Sequence, residues 1–288
     1  MRIRKSEFAG DILLSFVALV ACVVVVYPLI YTASVSLSAS AEIAANDVTF
    51  FPRSFTTVAY DRVLHMRKVT LGFKNSVVYT TVGTCINILL TTSLGYAISR
   101  RELVGRKFFT ILLTIPLFIS GGIVPTFMVI KMLGMIDTMW AVILPFAVLS
   151  YYLIIVKSFY ESIPDSIIES AKIDGANDIS IFWRIIIPMS TTIIATIGLF
   201  YAIYNWNNFR NPLFYLNDND KFPLVIVLKN MLVSTEMISY TQKSGEEIVS
   251  LEAMQSATIV ISVIPILIVY PFVQKYFKQG VTMGSVKG

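Results

Sequence analysis

This 288-residue sequence predicts an all-α, polytopic membrane protein with six transmembrane helices. Three observations carry that expectation. Hydrophobic residues make up 56% of the chain and charged residues only 14%, against roughly 25% charged in an ordinary globular protein. Six windows contain no Asp, Glu, Lys, Arg or His: Ile12 to Ala41, Asn75 to Ser99, Phe108 to Ile130, Thr138 to Val156, Ile185 to Phe209 and Ala253 to Gln274. A helix needs about 20 mainly apolar residues to cross a bilayer core of about 30 Å, and each window reaches or nearly reaches that length. The charges between the windows are also asymmetric, in the sense that membrane insertion requires.

With the N-terminus placed in the cytoplasm, the inner segments hold Arg2, Arg4 and Lys5; Arg100, Arg101, Arg106 and Lys107; Lys157, Lys172 and Arg184; and Lys275, Lys278 and Lys287. The outer segments hold ten basic and ten acidic residues, so the whole net charge of +5 falls on the inner side. The positive-inside rule then predicts cytoplasmic N- and C-termini. A basic balance of this origin gives no reason to invoke nucleic acid.

Taken in order, the first window follows a basic start and could pass for a secretory signal. It is longer than the 7–15 residues of such a core and lacks a clean small-residue cleavage site, so it reads as a retained span. Cys22 and Cys85 fall inside spans, where they act as small apolar residues. Two outer loops are long, 42–74 and 210–252, and Asn217-Asp218-Asn219-Asp220 is a turn signal in the second. Gly134 marks a tight turn between the third and fourth spans. The chain reads as a single membrane domain over residues 1–288.

The sequence holds no phosphate-binding G-x-x-x-x-G-K-[ST] loop. Its spans lack the ionisable residues that ion-coupled carriers retain. His65 stands alone, with no metal-ligand spacing, and no nucleophile–base pairing suggests an enzyme. No catalytic, cofactor or metal residue is expected, so energy for pumping has to enter from another protein.

The inner segment 162–188 is the most informative stretch. Ser162 with Asp165 forms a capping-box pattern, and Pro164 is tolerated in a first helical turn. Ile163, Ile167 and Ala171 recur every four residues as an apolar stripe, and Gly175 is a natural stop. This predicts a short acidic amphipathic helix below the membrane. A helix seeking the lipid surface would be basic with bulky aromatics; docking into a groove of another protein fits better.

Glu169-Ser170-Ala171, Asp174-Gly175 and, nine residues later, Ile185-Ile186-Ile187-Pro188 resemble the EAA loop of binding-protein-dependent ABC importer permeases, with Ser for the first Ala and Ile for Leu. The resemblance covers nearly the whole chain. Ser120-Gly121-Gly122-Ile123-Val124-Pro125-Thr126, Trp206-Asn207-Asn208-Phe209 and Gly284-Ser285-Val286-Lys287-Gly288 are similar to the carbohydrate branch. Within it, the chain resembles the smaller membrane subunit of maltose-type importers, in the subgroup linked to complex oligosaccharides. The resemblance implies the type I permease fold, in a bacterial inner membrane. It implies four kinds of partner: a second homologous permease, two ATP-binding cassette subunits, an extracytoplasmic solute-binding protein and membrane lipid. Glu169, Ser170, Ala171, Asp174, Gly175, Ile185 and Pro188 would couple this subunit to the ATPase.

Two groups are candidates for the solute pathway. Gly121 and Gly122, between Pro116 and Pro125, would kink the third span, although glycine also serves close helix packing. Asn205, Trp206, Asn207 and Asn208 combine an aromatic face with amides, as sugar sites do, although an interfacial Trp with solvated amides reads equally well. The alternatives in function are a permease of the same fold for a polyamine or phosphonate, and a secondary carrier.

Overall fold

The computed structural model describes residues 5–233 and 249–285; Arg2, Arg4, the 234–248 part of the last outer loop and Val286 to Gly288 of the tail lie outside the described residues. In chain order the helices are α1 (Lys5–Ser36), α2 (Ser40–Ala44), α3 (Val58–His65), α4 (Arg67–Ser99), α5 (Arg106–Thr114), α6 (Ile123–Met132), α7 (Met139–Ile143) and α8 (Ser150–Glu161). They continue as α9 (Asp165–Ile173), α10 (Asp178–Ile181), α11 (Ile187–Met189), α12 (Thr191–Trp206), α13 (Arg210–Tyr215), α14 (Leu224–Val233) and α15 (Leu251–Ser285). No strand occurs among the described residues.

The first, second and sixth windows are continuous helices. α1 over Leu13–Ser36, α4 and α15 over Leu251–Pro271 are each long and apolar enough to cross a membrane. The other three windows are interrupted, and each interruption lies beside a proline. The third is not one kinked span but two short helices: Pro116 sits in a 3-10 turn after α5, and residues 118–122 separate it from α6. The fourth breaks after the 3-10 turn that holds Pro145, where α7 and α8 form a pair bent by 51°. The fifth breaks at Ser190, two residues after Pro188, with an 82° bend between 178–189 and α12. A proline withholds one backbone N–H and crowds the preceding turn, and window length and charge do not register that. With each bent pair taken as one span, up to five segments among the described residues are long and apolar enough to cross a membrane.

The described residues group into two compact units, 1–70 with 227–264 and 71–226 with 265–288. In the first, a run of alternating serines finishes α1. The Ser34 hydroxyl donates to the Phe50 carbonyl (2.8 Å), Ser36 shares a 2.7 Å bond with the Tyr60 hydroxyl, and Ser38 accepts from the Arg53 N–H (3.0 Å). Ser40 accepts from the Ser250 N–H at 2.8 Å. Ser34, Ser36 and Ser38 are buried, so these bonds satisfy groups that water does not reach. The loop after α1 is thereby folded back onto the helix end.

In the second unit α8 packs against α5 and α12, and α7 against α13. A polar clasp joins the turn before α7 to the loop after α13. Asp137, at φ 61°, donates its N–H to the Tyr215 carbonyl (2.8 Å) and accepts from the N–H groups of Asn217 and Asp218 (3.0 Å each). Lys221 Nζ reaches the other carboxylate oxygen at 2.5 Å. The Lys221 hydrogen bond, helped by the two backbone N–H groups, pulls the Asp137 carboxyl down to about 2. The start of α4 closes the clasp: Asn75 donates to the carbonyls of Asp220 and Phe222, and the Tyr79 hydroxyl to that of Lys221.

Candidate functional site

The segment 162–188 is built as a short helix clamped on one side and bare on the other. α9 starts at Asp165 with Pro164 in the capping position and no side-chain cap. Ser162 does not cap it. Its hydroxyl turns back to the Phe159 carbonyl (2.6 Å) at the end of α8, because α8 runs to Glu161 and leaves no room for a separate cap. The helix ends as the sequence leads one to expect. Gly175 is at φ +83°, the Ala176 N–H bonds the Ala171 carbonyl (2.9 Å) and the Gly175 N–H that of Lys172 (3.0 Å). These two bonds are the Schellman pattern, which needs a left-handed residue at that place. A Cβ on Gly175 would meet nothing within 4 Å, so the backbone angle, not crowding, selects glycine.

The apolar stripe faces the body of the protein. Ile163, Ile168 and Ala171 are buried in a cluster with Tyr96, Val156, Tyr160, Ile181, Phe182, Ile186 and Ile197, and Ile167, Ala176 and Ile185 pack against it. Ala171 and Ile185 therefore hold the segment in place. Glu169, Ser170, Asp174 and Gly175 are exposed, as is Ile173 at 86%. Beyond the turn Asn177 caps α10, accepting from the Ser180 N–H at 2.8 Å. A π turn over Phe182–Ile186 leads into α11, where Pro188 is exposed just before the bend at Ser190. The helix and the fifth window are thus joined through a turn and a sharp bend, not as one continuous rod.

Ion pairs brace the segment. Lys172 binds Glu102 at 2.5 Å, from the loop before α5. That hydrogen bond holds the Glu102 carboxyl below its ordinary value and raises the Lys172 amine. Glu161, at the end of α8, pairs with Arg106 and with Lys157 (2.8 Å). Glu102, Arg106, Glu161 and Lys172, with Arg100, Arg101, Asp165, Ile168 and Glu169, line a hollow of about 530 Å³. Neither Asp165 nor Glu169 has an ion pair or hydrogen-bonding partner among the described side chains. Arg106, Glu102 and Ile173 were not apparent as site residues in the sequence; the first two lie about 55 to 70 positions from the residues they pair with, and no local period connects them.

Of the pathway candidates, Asn205 points into the protein. Its amide donates to Asn87 Oδ1 (2.8 Å) and Thr84 Oγ1 (3.3 Å), and Asn87, buried, donates to the carbonyls of Ala147 (2.8 Å) and Phe146 (3.3 Å). One turn deeper, the Tyr201 hydroxyl meets Thr91 (2.6 Å) and accepts from the Leu149 N–H (3.1 Å). The backbone groups freed by the α7–α8 break are thus met by side chains of α4 and α12, as a low-dielectric surrounding demands. Trp206 packs edge-on against Phe73 with ring centres 6.0 Å apart. Asn207 is exposed and donates to the Ile203 carbonyl, and Asn208 accepts from the Asn211 N–H as α13 begins. Gly121 and Gly122 are exposed in the break before α6, Gly122 at φ +81°. They belong to a different element from the 205–208 group.

Residues 87–283 match the family described as binding-protein-dependent transport system inner membrane component. The chain is 38% identical over 266 residues to Protein LplC of Bacillus subtilis (strain 168), covering 92% of this chain and 90% of that protein. It is also 38% identical over 280 residues to the polygalacturonan/rhamnogalacturonan transport system permease protein YtcP of the same organism, covering 96% and 98%. Among solved structures it is similar to a chain of a bacterial ABC transporter involved in the import of the acidic polysaccharide alginate. There the TM-score is 0.91 at 30% identity, over 96% of this chain and 99% of that one.

Proposed function

Because this chain belongs to the family of binding-protein-dependent transport system inner membrane components, we propose that it forms one half of the membrane pathway of an ATP-driven importer of oligosaccharides. The polysaccharide transport named for the 38% identical permease supports that solute class, as does the alginate importer that shares the fold. The partners in this reading are a second homologous permease, two copies of an ATPase and a solute-binding protein that delivers the sugar. The chain crosses the inner membrane six times, the short helices α5 and α6 together making the third crossing, with both termini in the cytoplasm. It acts as a single permease domain. Trp206 with Asn207 and Asn208, and the break at Gly121 and Gly122, contribute to the sugar's route, while Asn205 holds the helices beside it.

The observation that carries the coupling role is the two-sided build of α9. Its apolar side is locked into the protein, and Glu169, Ser170, Ile173 and Asp174 are left bare together. A helix fixed on one side and bare on the other can transmit a partner's movement to the spans. The acidic face suits a basic-rimmed cleft on the ATPase, with Ile173 as an apolar knob. Glu169→Lys reverses the charge at that face without touching the packed side. Loss of a desolvated charge contact weakens docking by about tenfold or more. Reconstituted vesicles with the variant are expected to lose substrate-stimulated ATP hydrolysis and uptake, while the protein still inserts. Coupled uptake at the parental rate would count against the assignment.

A further inference from the structure

We propose that residues 49–55 form an aromatic wedge seated in the lipid headgroup–acyl boundary beside the C-terminal end of α1. Phe50, Phe51 and Phe55 are 51%, 79% and 68% exposed within seven residues of chain. They do not stand off in water on a free loop. The Phe50 ring lies 5.1 Å from that of Tyr27, which in turn stacks on Tyr31 at 6.3 Å. Tyr27 is nine residues before the end of α1, about 13 Å along the axis at 1.5 Å per residue. It falls within the apolar stretch Leu13–Ser36, whose most apolar 18 residues have a mean hydropathy of 2.8, and every residue from Leu13 to Tyr31 is exposed in this chain. The loop therefore returns alongside a membrane-crossing surface, and its exposed rings continue that surface.

A loop can lie at that depth only when its backbone polar groups are met. Here several of them are met by α1 and the residues just after it, and those left over face the water and headgroups of the boundary: the Phe50 carbonyl is met by the Ser34 hydroxyl (2.8 Å) and the Arg53 N–H by Ser38 (3.0 Å). The Arg53 carbonyl accepts from the Ala39 N–H (3.2 Å), and the Thr56 N–H donates to the Leu37 carbonyl (3.0 Å). Arg53 is exposed between the phenylalanines and makes no ion pair among the described residues. An arginine that lays its stem on apolar surface and its guanidinium among phosphates suits the headgroup layer. Aromatic residues concentrate at the same level. Asn46 and Asp47, exposed and polar, mark the water-facing side of the same loop. A protein surface is the competing occupant; continuity with the uncovered face of α1 favours lipid.

The test uses the assembled transporter in liposomes, with Cys22 and Cys85 replaced by Ser and a nitroxide on a single cysteine at position 51, 55 or 47. Collision rates with oxygen, which concentrates in lipid, and with a nickel chelate, which stays in water, give the depth. At 51 and 55 oxygen is expected to exceed nickel, and at 47 the order reverses. Nickel exceeding oxygen at 51 and 55 overturns the wedge in favour of water, and shielding from both overturns it in favour of a covering protein. Phe51→Trp provides a route without a label: its added emission is quenched by lipids brominated near the headgroup, and emission insensitive to them overturns the proposal.

Discussion

Gly175 holds φ +83° with open space around its missing side chain, and this separates two ways in which a substitution could act. An L-residue in the left-handed region costs about 1–2 kcal/mol, more for a β-branched one, while asparagine tolerates it best. Gly175→Val is therefore expected to loosen the end of α9 and reduce substrate-stimulated ATP hydrolysis severalfold, with Gly175→Asn close to the parent. Equal loss in both variants would show that bulk, not backbone angle, is what the position excludes. Asp137 is a second residue with a defined chemical state. Its carboxyl is depressed to about 2 by Lys221 and by two backbone N–H groups, so the folded clasp favours the ionised form. A depressed acid contributes stability that is complete above its unfolded value near 3.9 and is lost as pH falls through about 2. Amide exchange at Asn217 and Asp218, referenced to the intrinsic rate at each pH, is expected to lose protection only below pH ~4, and Asp137→Asn to lower it at neutral pH.

At the scale of elements, the interrupted fourth span depends on its neighbours. The break after Pro145 leaves the carbonyls of Phe146 and Ala147 and the N–H of Leu149 without helical partners, and Asn87 and Tyr201 supply them. α12 comes close enough to deliver Asn205 because α4 has Gly83 there; a Cβ at that position would sit 2.9 Å from the Asn205 amide. Asn87→Leu keeps the volume but leaves both carbonyls unmet and the Asn205 amide with only its longer bond to Thr84, at a cost of about 1–3 kcal/mol for such groups. The complex in detergent is expected to unfold at a lower temperature, whereas Asn207→Leu, at an exposed helix end, leaves the unfolding temperature unchanged. An unaltered midpoint for Asn87→Leu would mean that the break is held by packing alone.

For the whole molecule, the charge asymmetry predicts an orientation with both termini in the cytoplasm and the 210–252 loop outside. A cysteine at position 218, in a background without Cys22 and Cys85, is expected to react with an impermeant maleimide from outside intact cells. Reaction only after the cytoplasm is opened would invert the orientation. The sequence alone was enough for the membrane class, the positions of α1, α4 and α15, the acidic helix 165–173 and its stop at Gly175, because each rests on composition or on contacts within a few residues. Tertiary structure decided the rest. Ser162 proved to finish α8 instead of capping α9, and Ala171 and Ile185 proved to anchor the segment that Glu169 and Asp174 expose. Asn205 turned inward to Asn87, and three proline-marked windows became broken helices, the fourth of them stabilised by distant side chains. The Asn205 and fourth-window outcomes depend on pairings across about 60 to 120 residues, and a linear pattern of hydropathy records which residues avoid water but not which distant group will meet a freed carbonyl.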